Sequence, residues 1–256
     1  MKNLNTYHKL KVLDGLELLN ARNHTVSFPY HTHDTFNIAL ILNHTFYTKT
    51  NDKFLQAPIG TLSITNPYEV HATPCDPKMG NSFFTFYIPP EVLETINNNE
   101  PVFFEEKIIY SEQLFNKLYF LSQNFARLGV DFEKLLVEAL KTLIDDYAQP
   151  RIFKNKEIRL FAGFLEDRIP DKFSLESTAK SFGMDKYKFL RLFKQETGLT
   201  PNNYIIMKRI EKSKTLLDTG AGLLEIAVDS GFYDAAHFCK KFKEFIGVTP
   251  MEYKNA

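Results

Sequence analysis

The 256-residue chain has no tryptophan, only two cysteines, 11 glycines and 12 prolines, and no excess of either charge sign. With Cys75 and Cys239 alone, a disulfide framework is excluded as the organising device, and free structural thiols are expected. No run of about 18 apolar residues occurs, which leaves no candidate for a membrane-spanning helix. The first residues lack an apolar stretch of signal-peptide length before Asp14, so a cytoplasmic location is expected. Low glycine and proline together with 44% hydrophobic and 24% charged residues exclude collagen-like and disordered classes. Equal numbers of basic and acidic residues, 31 of each, speak at first against a nucleic-acid partner. That balance is an average. From Lys156 onward there are 17 basic and 14 acidic residues, whereas residues 1–155 hold 14 and 17.

What the chain has is aromatic: 24 Phe and 12 Tyr. Between Thr25 and Pro89, short aromatic and β-branched stretches alternate with turn signals, predicting strands over 35–42, 45–49, 53–56, 60–64 and 82–88. Such spacing predicts a small antiparallel barrel or sandwich. Along the first stretch and the residues just before it, Phe36, Ile38, Leu40 and Leu42 share one face, with His31, His33, Thr35, Asn37, Ala39 and Ile41 on the other; one of the two faces lines the interior. A short helix is expected over 90–97 and amphipathic helices over 111–127 and 131–147, with Ser111 and Asp131 as N-caps. The second carries a stripe from Phe132 to Tyr147, fit either to cover the barrel or to form a dimer seam. Residues 148–156 interrupt the helical pattern and read as a linker.

The C-terminal part contains an internal repeat. Ala179, Gly183, Phe193, Gly198, Pro201 and Tyr204 are matched by Ala227, Gly231, Phe242, Gly247, Pro250 and Tyr253, at an offset of 48 up to the glycine and 49 after it. Each copy reads as a helix-turn-helix: a small residue permits close helix approach, a glycine ends the first helix, and a second helix follows over 186–197 or 234–246. The outward face of the second helix carries Lys186, Tyr187, Leu190, Arg191 and Lys194 in one copy, and Ala235, Ala236, Cys239, Lys240 and Lys243 in the other. Such faces suit a major groove. Residues 201–218 read as a joining helix with Tyr204, Ile205, Met207, Lys208, Ile210, Glu211, Lys212 and Leu216 inside. At about 27 Å it is shorter than the roughly 34 Å between successive major grooves, so the two heads must bend DNA or engage one half-site poorly.

From about Lys156 to the end the sequence resembles the DNA-binding domain of AraC/XylS-type transcriptional regulators, including an Arg209-Ile210 pair ahead of Leu216-Leu217. The resemblance implies two helix-turn-helix units, 174–198 and 222–247, within a domain over 157–256. Base-facing positions would fall on Tyr187, Leu190 and Arg191, and on Ala235, Ala236, Cys239 and Lys240. Lys186, Lys188, Lys194 and Lys243 would meet phosphates. Arg191 can make a bidentate guanine contact that Lys240 cannot, so most discrimination is expected from the first unit. Double-stranded DNA, a homodimer partner and RNA polymerase are the macromolecular partners implied, and no membrane.

Upstream, the stretches from Pro29 to Ile38, with His31, His33 and Asn37, and from Pro58 to His71 resemble the two motifs of a cupin, as in the ligand-binding domain of the same regulators. The fold class expected is therefore α+β in two domains: a cupin-like or jelly-roll-like antiparallel barrel over 1–98 with a helical extension over 99–147, then an all-α domain. The resemblance implies a small-molecule effector, whose site is expected among His31, His33, Asn37, Phe46, Tyr47, His71, Phe84 and Phe86. In metal-dependent cupins His-x-His, a Glu and a later His hold a metal. Here Asn37 stands at the Glu position, so no metal or other cofactor is expected, although His31, His33 and His71 could still offer three imidazoles to Zn or Fe. Two alternatives stay open: a metal-dependent cupin enzyme or metal sensor fused to a DNA-binding tail, and a constitutive DNA-binding protein with a vestigial barrel.

Overall fold

Strict alternation along the strands builds a sheet with two different faces, and each face recruits its own partner. The computed structural model describes residues 4–149, 160–169 and 171–256. Nine strands come first: β1 (Thr6–Lys9), β2 (Glu17–His24), β3 (Phe28–His31), β4 (Phe36–Asn43), β5 (Phe46–Lys49), β6 (Phe54–Ala57), β7 (Leu62–Thr65), β8 (His71–Thr73) and β9 (Asn81–Ile88). Then follow α1 (Pro90–Ile96), β10 (Ile108–Ile109), α2 (Glu112–Leu128) and α3 (Val130–Tyr147). The C-terminal part is helical: α4 (Leu160–Glu166), α5 (Leu175–Ser181), α6 (Lys186–Thr197), α7 (Pro201–Leu217), α8 (Leu223–Asp229), α9 (Ala235–Ile246) and α10 (Pro250–Lys254). Most of the linker expected over 148–156 lies outside the described residues. Among the described residues no helix is long and apolar enough to cross a membrane.

The strands form an antiparallel sandwich with sheet orders β1-β2-β9-β4-β7-β10 and β3-β8-β5-β6. In the larger sheet, Ile38 pairs with Phe86 and Ile64, and Leu40 with Phe84 and Leu62. These side chains join the α1–α3 layer in one buried core. The stripe on α3, with Phe132, Leu136, Ala139, Leu140, Leu143 and Ile144 buried, is spent inside the chain against that face. Ser111 caps α2, accepting from the Leu114 amide, whereas α3 is capped at Gly129 and Asp131 sits in its first turn, acting on the helix dipole instead of the cap.

The opposite face of the same sheet, with Leu19, Ala21, Ala39, Ile41 and Phe83, shares a second core with the other sheet and with the C-terminal helices. The sandwich interior therefore does not close on itself. The helical domain stops its open end. Both second helices of the repeat dock there by their left-handed terminal glycines, Gly198 at φ +74° and Gly247 at φ +88°. A side chain at Gly198 would stand 2.8 Å from Val70 Cγ2, and one at Gly247 3.2 Å from the Phe28 ring.

Inside the helical domain, α6 and α9 start at Asp185 and Asp234, whose side chains accept from backbone amides of the first turn. The extra residue of the second copy lies between Gly231 and Asp234, which explains the change of offset. On α7 the buried positions are Tyr204, Ile205, Ile206, Met207, Ile210, Ser213 and Leu217. The expectation that Lys208, Glu211, Lys212 and Leu216 lie inside is corrected: Glu211 is exposed and the other three are half-buried, because α7 is enclosed on more than one side and its buried set shifts to Ile206, Ser213 and Leu217. Arg209 fastens α7 to the α4–α5 connection, donating to the carbonyls of Ile169 at 2.9 Å and Asp171 at 2.6 Å.

Gly198→Ala is expected to destabilise the full chain by about 2–3 kcal/mol in urea unfolding, since overpacking against Val70 adds to backbone strain. Gly183→Ala, at φ +64° with open space around it, serves as the control. Its cost should be only about 1 kcal/mol.

Candidate functional site

The inner face of the larger sheet grades from polar to apolar, because side chains of paired residues stand side by side. One row across the strands is Glu17, Tyr87, Asn37 and Thr65; the next is Leu19, Thr85, Ala39 and Ser63; a third begins with Ala21, Phe83 and Ile41. The first row faces the mouth that the helical domain covers. A cavity of about 130 Å³ lies between, a size that holds a single small ring. Its walls include His31, His33, Asn37, Phe46 and His71, as the sequence suggested. They also include Met207, Ile210 and Lys214 of α7 and Phe245 and Ile246 of α9.

Three expected residues are elsewhere. Phe84 and Phe86 point to the α-helical layer, since they pair with Leu40 and Ile38 rather than with Ala39 and Asn37. Their neighbours Phe83, Thr85 and Tyr87 occupy the cavity wall instead. Tyr47, also displaced by one from the inner position of Phe46, stacks on Phe54 with ring centroids 5.4 Å apart. Placing Asn37 inside would have sufficed to select Phe83, Thr85 and Tyr87 once the β4–β9 register was known. No pattern in the sequence points to the α7 and α9 residues of the wall.

Beside this first row His31, His33 and His71 converge, with ring centroids 4.6–4.7 Å apart and donor atoms within 4.8 Å of one another. Nδ1 of His31 lies 2.7 Å from the Pro29 carbonyl and Nδ1 of His71 2.9 Å from that of Glu69. Carbonyls accept only, so both Nδ1 atoms carry the proton and both Nε2 atoms present a lone pair. Nε2 of His33 sits 3.1 Å from Nε2 of His31 and 2.9 Å from the Asn37 amide nitrogen. Burial first, and then neighbouring imidazoles, hold His31 at about 3 and push His33 well down. Burial brings His71 to about 4 against the opposing pull of its backbone hydrogen bond. All three are therefore neutral near pH 7; Nε2 of His71 offers its lone pair to a hydrogen-bond donor, while Nε2 of His33 is already engaged by His31 and the Asn37 amide. The same three imidazoles are of the donor type a zinc-type ion takes, and backbone carbonyls fix two of them, His31 and His71, from behind.

A half-buried carboxylate stands at the mouth. Glu17 accepts from Tyr7 at 2.8 Å, from Lys214 at 3.0 Å and from the Tyr253 hydroxyl. Burial pushes this carboxyl up, but the Lys214 ammonium and the three hydrogen bonds outweigh it and leave it below the ordinary carboxylate value. Thr32 donates to the Met207 sulfur at 3.4 Å from its amide, a second tie to α7. Asn5 ties the end of α9, donating to the Gly247 carbonyl at 2.8 Å while its amide nitrogen lies 3.0 Å from Nδ1 of His24.

The outward faces of α6 and α9 are open. Lys186, Tyr187, Lys188, Arg191 and Lys194 are exposed, as are Ala236, Lys240 and Lys243; Leu190, Ala235 and Cys239 are half-buried. Cys239 packs against the core of its domain. The rims of both faces are basic, and α6 alone adds an arginine.

Residues 15–122 match the family described as AraC-like ligand binding domain, and residues 178–256 match a helix-turn-helix domain family. YbfI of Bacillus subtilis, an uncharacterised HTH-type transcriptional regulator, is 26% identical over 226 residues, 82% of this chain and 81% of the relative. The HTH-type transcriptional activator RhaS of Escherichia coli is 31% identical over 98 residues, 38% of this chain and 35% of its own. Among solved structures, an apo ToxT variant of Vibrio cholerae superposes with a TM-score of 0.55 at 13% identity, covering 100% of this chain and 97% of that one. Wild-type ToxT with a bound unsaturated fatty acid gives 0.50 at 13% identity, over 98% and 94%. These two show a shared fold.

Burial also holds His24 at about 4, with Lys243 acting in the same direction. Because the unfolded chain takes up this proton near the ordinary imidazole value of about 6.5, stability is full above that pH and falls as the pH drops toward 4. Between about pH 7 and pH 5 this residue is expected to account for about 2 kcal/mol of lost stability. Urea titrations at the two pH values should show that loss reduced in His24→Gln.

Proposed function

The chain is an AraC-type transcriptional regulator, and from that premise we propose that a small molecule bound in the interdomain cavity sets how the two helix-turn-helix units are presented to DNA. The observation that carries this reading is the cavity wall, made jointly by sensor strands and by α7 and α9 of the DNA-binding domain. A ligand there touches the sensor and the reader at once. It can shift their arrangement by whatever it binds more tightly in one arrangement than in the other.

His31, His33, His71 and Asn37 supply hydrogen-bonding groups, while Phe46, Phe83 and Phe245 supply apolar wall, a combination typical of small-molecule sites. The histidines act in this reading as hydrogen-bonding groups rather than as metal ligands. Metal analysis of untagged protein checks that: no stoichiometric Fe, Zn or Mn is expected. A stoichiometric ion lost in His31→Ala and His71→Ala would replace the reading by a metal-dependent one.

On the DNA side, Arg191, Tyr187 and Leu190 read bases from α6. In the second unit Ala235, Ala236, Cys239 and Lys240 lie over the groove with little hydrogen-bonding capacity, and Lys186, Lys188, Lys194 and Lys243 meet phosphates. α7 has 17 residues and spans about 26 Å, below the groove repeat of about 34 Å, so simultaneous engagement bends the duplex. A homodimer would place the exposed Tyr119 and Phe120 of α2 at its seam, and RNA polymerase is the further partner of a regulator of this type.

The experiment is a thermal-shift screen of metabolites on the full chain, followed by operator binding with each stabilising compound. Coupling is expected to change operator affinity about 5- to 150-fold. A compound that stabilises the protein yet leaves affinity, footprint and transcription unchanged sinks the mechanism. For the readers, Arg191→Ala should lose about 1–3 kcal/mol of discrimination at one base pair, whereas Lys243→Ala should weaken all sequences alike and lower the salt slope by about 1. Equal loss on specific and random DNA for Arg191→Ala would overturn its assignment to a base.

A further inference from the structure

The repeat extends further back than the helix-turn-helix pairs, and it isolates one position where the two units differ in charge. At the offset of 48, α4 aligns with the later part of α7: Ala162 with Ile210, Leu165 with Ser213 and Ile169 with Leu217, all buried. On the same offset Glu166 aligns with Lys214. The tyrosines that follow the second helices, Tyr204 and Tyr253, are matched as well. Each packs on the matched phenylalanine of its own unit, Tyr204 on Phe193 at 5.4 Å between centroids and Tyr253 on Phe242 at 5.5 Å.

In the first unit the Tyr204 hydroxyl donates to the carboxylate of Glu166, so the unit closes this contact with its own residue. In the second unit a lysine stands at the matched position, and a tyrosine hydroxyl and an ammonium are both donors. They need an acceptor between them. Glu17 of the sensor is that acceptor, taking the Tyr253 hydroxyl on one oxygen and Lys214 at 3.0 Å on the other. The surroundings are built for it. Tyr7 donates to the Lys214-bound oxygen and lays its ring 5.0 Å from that of Tyr253, while Lys9 stands 3.9 Å over the Tyr253 ring and pairs with Asp218.

We propose that Lys214 and Tyr253 form a carboxylate-binding site of the second helix-turn-helix unit, that its occupant is Glu17, and that the sensor thereby completes this unit as Glu166 completes the first. This contact of the second unit is then closed by the sensor, and that of the first by its own glutamate. Substituting glutamate at Lys214 would restore the first unit's arrangement, satisfying Tyr253 within the DNA-binding domain and repelling Glu17.

Hydrogen–deuterium exchange on the full chain separates the two halves of this proposal. In Glu17→Gln, segments 213–218 and 250–254 should exchange about tenfold faster or more, the loss expected for a charge-assisted hydrogen-bond set, while 162–166 and 201–206 stay unchanged. In Lys214→Glu, segments 6–9 and 17–21 of the sensor should lose protection while 250–254 keep it. The exchanged pair, Glu17→Lys with Lys214→Glu, should regain protection in both. Unchanged exchange in Glu17→Gln would overturn the proposal, as would loss in 250–254 in Lys214→Glu equal to that in Glu17→Gln. Circular dichroism of each variant confirms that it is folded before exchange is read.

Discussion

The pairing of β4 with β9 is the constraint on which the rest of the molecule depends. With Asn37 opposite Tyr87 and Ala39 opposite Thr85, every even-numbered apolar residue of β4 is sent outward to the α1–α3 layer. Every odd-numbered one is sent inward. A slip of one residue would bury Glu17's neighbours against the helices and turn Phe84 and Phe86 into the cavity, exchanging a polar site for an apolar plug. Two buried faces at once hold the register against that slip, since either error would strand polar groups without partners.

The two cores divide the chain in an unexpected place. One joins the outer sheet face to α1–α3, and the other runs from the sandwich interior through to the DNA-binding helices. A sensor whose interior is finished by the reader has no independent closed form of its own in this arrangement. Cavity wall and C-terminal helices are then parts of one packed unit, with Met207 and Phe245 in the wall. Polar ties at the edge, Glu17 with Lys214 and Asn5 with the Gly247 carbonyl, supply direction that apolar packing lacks.

Much of this was legible in the sequence where periodicity or repetition carried it. The helices from α1 onward through α3, the α6 span over 186–197 and the strands β4, β5, β6, β7 and β9 follow from alternation, caps and breakers. β1, β2, β3, β8 and β10 escaped because they are short or, in β2, interrupted by a bulge between Ala21 and His24 that breaks the alternating signal. The misplacement of Phe84, Phe86 and Tyr47 has one cause: alternation divides a strand into two faces without saying which is inside. The α7 and α9 contribution to the cavity could not be read at all. Met207 and Ile210 look like ordinary helix interior, and only the tertiary arrangement makes them a wall.

The neutral net charge acquires a structural meaning from the same arrangement. Lys214 is engaged by Glu17, Lys208 by Glu211 and Lys241 by Glu244, so several cations of the basic half are balanced within the chain before any phosphate is met. Lys186, Lys188, Arg191 and Lys194 instead stand exposed on α6. α6 thereby presents four exposed cations against two, Lys240 and Lys243, on α9, so positive potential is weighted toward the first of the two helices. The asymmetry in charge parallels the asymmetry in chemistry, since the helix with the arginine is also the one whose unit closes on its own glutamate. The second unit, whose outward face carries no arginine, is the one tied to the sensor through Glu17. The two copies of the repeat thus differ by a change of sign at this position, Glu166 in one and Lys214 in the other, and with it in which part of the chain closes the tyrosine contact.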